Sequence, residues 1–338
     1  MKSFKILFIS IISILLFSSI FISCSKSSDD GSKSTDNTTT TDNTTTCDNT
    51  TTTSTELFVS VGSSGTILTS SDGTTWDNRT SGFSSVLKDV TYGNGTFVTV
   101  GNSGTILTSC DGTTWTERTS GTSWFLNRVT YGNGLFVTVG MGGTIFTSSD
   151  GITWTERTSG VSNSFGGITY GNGLFVTVGQ LGVIFTSPDG ITWTERTSSG
   201  TWESLRGVTY GNGLFVTVGS KKINPFPYYE VIILTSSDGI TWTERTSGTI
   251  NRLYDVTYGN GLFVTVGISG TILTSSDGIS WTSRTSGTTE FPWRVTYGNS
   301  TYVIVANSGT ILTSSDGTTW TSRNSGTTQH LYGVTYSQ

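Results

Sequence analysis

The chain has 338 residues, room for one large domain or two small ones, a net charge of −5 and only 12% charged side chains. An acidic chain without a basic run lacks the footprint that nucleic-acid phosphates require, so no nucleic-acid partner is expected. With 43 Gly against 4 Pro, and abundant Thr, Ser and Val, the composition is that of strands and turns, and no long helical apolar period runs beyond the N-terminus.

Lys2 and Lys5 precede an apolar run from Ile6 to Ile22, and Cys24 follows. A cationic stretch, an apolar stretch and small residues at a cleavage point read as a secretory signal over residues 1–23. The run Phe21-Ile22-Ser23-Cys24 resembles a bacterial lipoprotein box, with Phe21 where Leu is usual. The resemblance implies that Cys24 is lipidated and begins the mature chain. An ordinary signal peptide or a retained membrane anchor is the alternative. After Cys24, residues 25–55 carry no aliphatic or aromatic side chain and are expected to be disordered. If flexible, these 31 residues span roughly 30 Å on average. Residues 24–55 thus read as a tether that holds a folded domain, 56–338, at a bacterial outer membrane or cell surface. The membrane is met through the lipid anchor only. Cysteines are sparse: Cys24, Cys47 and Cys110. Cys110 stands where Ser is usual in a repeat, and is read as a small buried residue rather than a catalytic thiol. No disulfide framework, zinc site or cofactor is expected.

From residue 56 the chain repeats itself. One Trp recurs at positions 76, 115, 154, 193, 242, 281 and 320, with spacings of 39 except for a single 49. A fixed period near 40 signals a repeat architecture. One unit begins at Leu253 and holds four predicted strands: A (LYDVTY), B (LFVTV), C (TILTS) and D (SWTSR). Tyr-Gly-Asn-Gly joins A to B, and Asn-Gly favours the tight hairpin turn. Ser-Ser-Asp-Gly joins C to D, where the Asp carboxylate can accept bonds from N–H groups of its own turn. The Asp residues in this role are Asp72, Asp111, Asp150, Asp189, Asp238, Asp277 and Asp316. Strand B is almost wholly apolar, as for a strand buried on both faces; strand D mixes Thr, Glu or Ser, and Arg, as for an outer strand.

A four-stranded unit repeated seven times predicts an all-β fold, a seven-bladed β-propeller of antiparallel blades. The C–D phrase resembles the BNR or Asp-box repeat of sialidase-like and photosystem II assembly-factor-like propellers. The usual box is Ser-x-Asp-x-Gly-x-Thr-Trp; here it is one residue shorter, as in Ser70-Ser71-Asp72-Gly73-Thr74-Thr75-Trp76. The resemblance covers residues 56–338 and speaks for fold more than function. The chain enters on a B strand, Leu57 to Val61, and leaves on an A strand, Leu331 to Tyr336. These two are expected to pair, closing a monomeric ring and hiding its edges.

Subtracting the repeat leaves Trp124, Trp202 and Trp293, together with Arg128, Arg206, Arg252 and Arg294, all in D–A connections or at the start of strand A. Lys221 and Lys222 open an insertion in one B–C connection that also holds Tyr228 and Tyr229. D–A and B–C loops emerge at one end of a propeller. These residues, with Phe125, Tyr254 and Tyr332, are therefore expected on one face, and aromatic and Arg side chains are the types enriched where partners bind. Neutral drift of loop ends is the plainer alternative. At the position three before the repeated Tyr, Asp89 and Asp255 are each followed in the next blade by Arg128 and Arg294. Two inter-blade ion pairs are expected there, Asp89 with Arg128 and Asp255 with Arg294.

A sialidase-like site would need an Arg triad, a Tyr–Glu pair and an acid. Tyr254, Tyr332, Asp89, Glu203, Asp255 and Glu290 supply residue types, but the Arg-Ile-Pro motif is absent. A glycoside hydrolase is the weaker alternative. His330 is the only histidine, which argues against His-based metal clusters and Ser-His-Asp triads. The leading expectation is a non-catalytic binding module for a glycan or an envelope protein, with a scaffold or assembly factor for an envelope complex close behind. A glycan binder would stack a few aromatics on sugar faces.

Overall fold

The computed structural model describes Cys47 and residues 56–196, 203–222 and 229–337. Cys24, where lipidation is expected, and Trp202 and Tyr228 lie outside the described residues. Seven four-stranded antiparallel sheets form, each in the order A-B-C-D. Blade 1 is composite: strand A is Leu331–Tyr336, strand B Phe58–Gly62, strand C Ile67–Ser70 and strand D Asp77–Arg79. Blades 2 to 7 follow in chain order, with A strands at Leu87–Gly93, Leu126–Gly132, Phe165–Gly171, Glu203–Gly211, Leu253–Gly259 and Pro292–Gly298. Closure is as expected: Phe58 faces Tyr336 and Val61 faces Gly333 in antiparallel register.

The A strands touch one another around a closed cycle and so line the channel. Their spacing is set by the Tyr-Gly pair. A Cβ on Gly93 would fall inside the ring of Tyr131, and Gly298 takes Tyr336 the same way across the closure. Each core cluster lies between two blades. Val98 and Val100 of blade 2 pack with Leu126, Val129 and Phe136 of blade 3, while Val137 and Val139 of blade 3 pack with Phe165 and Phe175 of blade 4. Successive residues of strand B therefore serve opposite interfaces, which explains its apolar run; each large side chain so buried contributes about 1.5–3 kcal/mol. Strand D is exposed at its first two positions in every blade.

The C–D turns close on themselves. Asp72 Oδ1 accepts from the N–H of Thr74 (2.7 Å) and Thr75 (2.9 Å), Gly73 donates to Ser70 Oγ, and Trp76 Nε1 donates to the Gly73 carbonyl. The second residue of this turn points outward, and there the reading of Cys110 is corrected. Cys110 is exposed, and it is disulfide-bonded to Cys47 with a Cα–Cα distance of 5.4 Å. An exposed turn position makes no packing demand on its side chain, so a Cys there can reach a second thiol. Cys47, which precedes the ring in sequence, is consequently joined to blade 2.

The residues described at the two ends of the insertion continue the ladder. Strands B and C of blade 5 extend to Leu214–Lys222 and Tyr229–Ser236, with Lys222 opposite Tyr229. Lys221 Nζ pairs with Glu230 at 3.0 Å.

Candidate functional site at the channel mouth

Each A strand carries a β-bulge near its start. In blade 2, Leu87 faces Gly101 but Asp89 faces Val100, so Lys88 is an extra residue. The same shift sets apart Asn127, Gly166, Arg206, Tyr254, Trp293 and Tyr332 in the other blades. A bulge re-aims one side chain out of the ladder. All seven of these residues line one pocket of about 450 Å³, together with Asn102 and Gln180 from B–C connections and Phe125 and Ser164 from D–A connections. D–A and B–C connections do meet at one end, and the pocket is the mouth of the channel there.

One side of the mouth is an aromatic wall. Trp293 stacks on Tyr254 (centroids 4.9 Å apart, 20° between planes), and Tyr332 meets Trp293 edge-on at 5.7 Å. Trp293 Nε1 donates to Asn307 Oδ1 at 2.6 Å. Arg206 lies over the Tyr254 ring, 5.0 Å from its centre. Blades 5 and 7 flank blade 6, so Tyr254 sits between Arg206 and Trp293 and is 8% exposed. Its faces serve the wall rather than an open stacking platform.

The other side is cationic. Lys88 Nζ donates to Asn127 Oδ1 at 2.9 Å and lies over the Phe125 ring at 4.7 Å. Arg128 Nη1 donates to the Asn127 carbonyl at 3.2 Å. Burial and the nearby Arg128 charge hold the Lys88 pKa below its ordinary value. Burial, then the Arg294 charge, lowers Arg128 to about 10 against the pull of Asp89 and Asp255. Between the cations, blade 4 offers Gly166 and Gly167, whose missing side chains let the blade 5 backbone come close. A Cβ on Gly166 would crowd the backbone of Leu205 and Arg206.

One layer below the mouth, the expected ion pairs are half right. Arg294 Nη1 meets Asp255 Oδ1 at 2.9 Å, as read from sequence. Its Nη2 reaches Asp89 Oδ2 at 2.5 Å, and Arg128 forms no ion pair with Asp89 among the described residues. Blade 1 stands between blades 7 and 2 and has Gly333 at this level, so nothing blocks the span. Both carboxylates also accept from backbone: Val129 N–H from Asp89's neighbour blade (2.9 Å) and Val295 N–H on Asp255 (3.0 Å). Burial works against the Arg294 charge, but Asp255 and Asp89 outweigh it and hold its pKa above the ordinary value.

Of the residues singled out from sequence, Phe125, Arg128, Arg206, Tyr254, Trp293 and Tyr332 come together at the mouth. Trp124 is exposed outside the pocket. Arg252 lies over the Tyr229 ring at 4.6 Å, also outside it, and Arg294 belongs to the buried layer. Lys88, Asn127, Asn102 and Gln180 were missed as site residues.

No protein-family model matches the chain, and no curated protein sequence does. It is similar to several solved propellers. YCF48 from Cyanidioschyzon merolae is 15% identical over 72% of this chain and 87% of that one, with a TM-score of 0.55. YCF48 bound to D1 peptide is 19% identical over 70% and 80%, with a TM-score of 0.56. Virginiamycin B lyase from Staphylococcus aureus is 15% identical over 74% and 92%, with a TM-score of 0.58. Likeness at this level establishes the fold.

Proposed function

We propose that the protein is an exported, non-catalytic binding module that holds a segment of a protein partner at the channel mouth, as a scaffold within a cell-envelope complex. The observation that carries this reading is the ring of bulge residues. They project from the ladder into one pocket and differ in every blade but two, where Tyr recurs. A bulge side chain has no pairing duty, so the fold does not dictate its identity. The YCF48 structure with a bound peptide supports a peptide-sized ligand on a ring of this kind. The closed aromatic wall favours a peptide over a sugar that needs a bare ring to stack on. The Cys47–Cys110 disulfide supports export, because disulfides persist in oxidising compartments.

The test is cross-linking in the native envelope with a photo-reactive residue at Trp124 on the rim, beside a glycan-array screen of the same protein. A protein adduct that disappears when Trp293→Ala and Tyr332→Ala are added, with the fold intact, is expected. Glycan binding without any adduct would reject the protein-partner reading.

A further inference from the structure

Among the described residues, the mouth holds three cations and no carboxylate lines it. Lys88, Arg128 and Arg206 all line the pocket, and among the described residues none of them forms an ion pair. The Nε groups of Arg128 and Arg206 are buried without an acceptor. One layer down the same ring treats charge in the opposite way, giving Arg294 two carboxylates. The contrast is local and built. Gly166 brings no side chain of blade 4 to the pocket, and the cations of blades 2, 3 and 5 line the same space. Buried, unpaired N–H groups on cations favour an incoming oxyanion strongly, because each bond formed is charge-assisted and replaces no existing one. Depressed Lys88, Arg128 and Arg206 pKa values accord with this, burial being the first cause in each case. Asn102 Oδ1, a buried acceptor without a partner, lines the same pocket. It can take a hydroxyl or amide hydrogen beside the anionic group.

We propose that the mouth is an oxyanion site, in which Lys88, Arg128 and Arg206 hold a carboxylate or phosphate group of the ligand against the aromatic wall. This rests on reading the mouth as the ligand site, and it adds what the ligand must carry there: an oxyanion group, with a hydrogen-bond donor close by.

The probes are citrate and inorganic phosphate, titrated calorimetrically into the full chain at low ionic strength. Citrate or phosphate is expected to bind, and Lys88→Met and Arg206→Met are each expected to weaken binding at least about tenfold. Arg252→Met, outside the pocket, leaves it unchanged. Thermal unfolding of each variant separates lost binding from lost fold. Stronger citrate binding identifies a carboxylate ligand, and stronger phosphate binding a phosphoryl one. Absence of binding by both probes, or binding undiminished in both Met variants, overturns the site. A partner cross-linked equally well by wild type and the Lys88→Met, Arg206→Met double variant would also overturn it while leaving the binding-module reading standing. Citrate bound without any partner captured would do the reverse.

Discussion

The two ends of the ring are built from the same backbone and filled in opposite ways. At the C–D end every turn repeats one closed set of bonds: Ser to Asp, Gly to Ser, two N–H groups to Asp, and Trp to Gly. The Ser hydroxyl, one Asp oxygen, the Gly N–H and the Trp N–H each have a local partner in this set, so sequence freedom is small and the phrase recurs. At the mouth a bulge lifts one residue per A strand out of the ladder, and that residue is Lys, Asn, Gly, Arg, Tyr, Trp or Tyr. Among the described residues, buried side-chain polar atoms are left without partners only near this end and its underlying layer. Uniformity marks what the ring needs to stand, and variety marks what it can offer.

The comparison breaks first if the ring can stand open. Removing residues 327–338 takes away the A strand of blade 1, including buried Leu331 and Val334, and uncovers Phe58. The expected loss exceeds about 5 kcal/mol, comparable to the stability of a whole domain, and should abolish cooperative thermal unfolding. A truncated chain that melts like the parent would refute the closure. The next largest effect lies in the ionic layer. Asp255→Ala leaves Arg294 buried with Asp89 alone and frees the Val295 N–H. Removing one partner of a buried pair costs about 3–5 kcal/mol, measurable by denaturant unfolding. Unchanged stability with lost ligand binding would move this layer from the frame to the site.

Much of the frame was legible because its signals are local. Asn-Gly turns, the Asp turn and the apolar run of strand B each sit within a few residues, and counting strands at both termini predicted the closure. The site was legible only in part. Arg206, Tyr254 and Trp293 stood out as residues foreign to the phrase, but nothing in Lys88 or Asn127 announces a bulge, which depends on register with the next strand. Arg294 reaching Asp89 spans blade 1, a pairing between non-adjacent blades that the adjacent-blade pattern in the sequence does not suggest. The Cys47–Cys110 bond joins a low-complexity segment to an exposed turn, and sequence spacing carries no information about that distance.

That bond gives a smaller test of the C–D end as a passive frame. It links residues 63 apart, and bridges of this kind stabilise by about 2–4 kcal/mol, in large part by restricting the unfolded chain. Cys110→Ser should lower the unfolding midpoint and make it indifferent to reductant, whereas the parent midpoint should fall when reductant is added. Ligand binding at the mouth should survive in the folded Cys110→Ser protein. If binding is lost while the fold persists, the two ends are coupled and the division between frame and site fails.

The smallest expected effect reads the C–D turns one carboxylate at a time. Asp111 is held at about 2 against an ordinary 3.8; burial opposes this, but the N–H groups of Thr114 and Thr113 and the Thr113 and Ser109 side chains outweigh it. Asp72 is held lower still, first by the Thr74 hydroxyl, which donates to Oδ2 at 2.6 Å, and then by the Thr75 N–H. A folded pKa below the unfolded one means stability that is complete above about pH 4 and lost as the pH falls through the folded value. Asp72→Asn keeps an acceptor oxygen but not the charge. It should cost about 1 kcal/mol or less at pH 7, because each bond is exposed and modest in net worth. The cost should shrink as the pH falls below about 4, where the unfolded carboxylate begins to take up its proton, with the last of it lost only below the folded value. Melting curves of parent and variant between pH 7 and 2 should therefore converge on acidification; curves that stay parallel would show that the Asp72 charge takes no part in holding the turn.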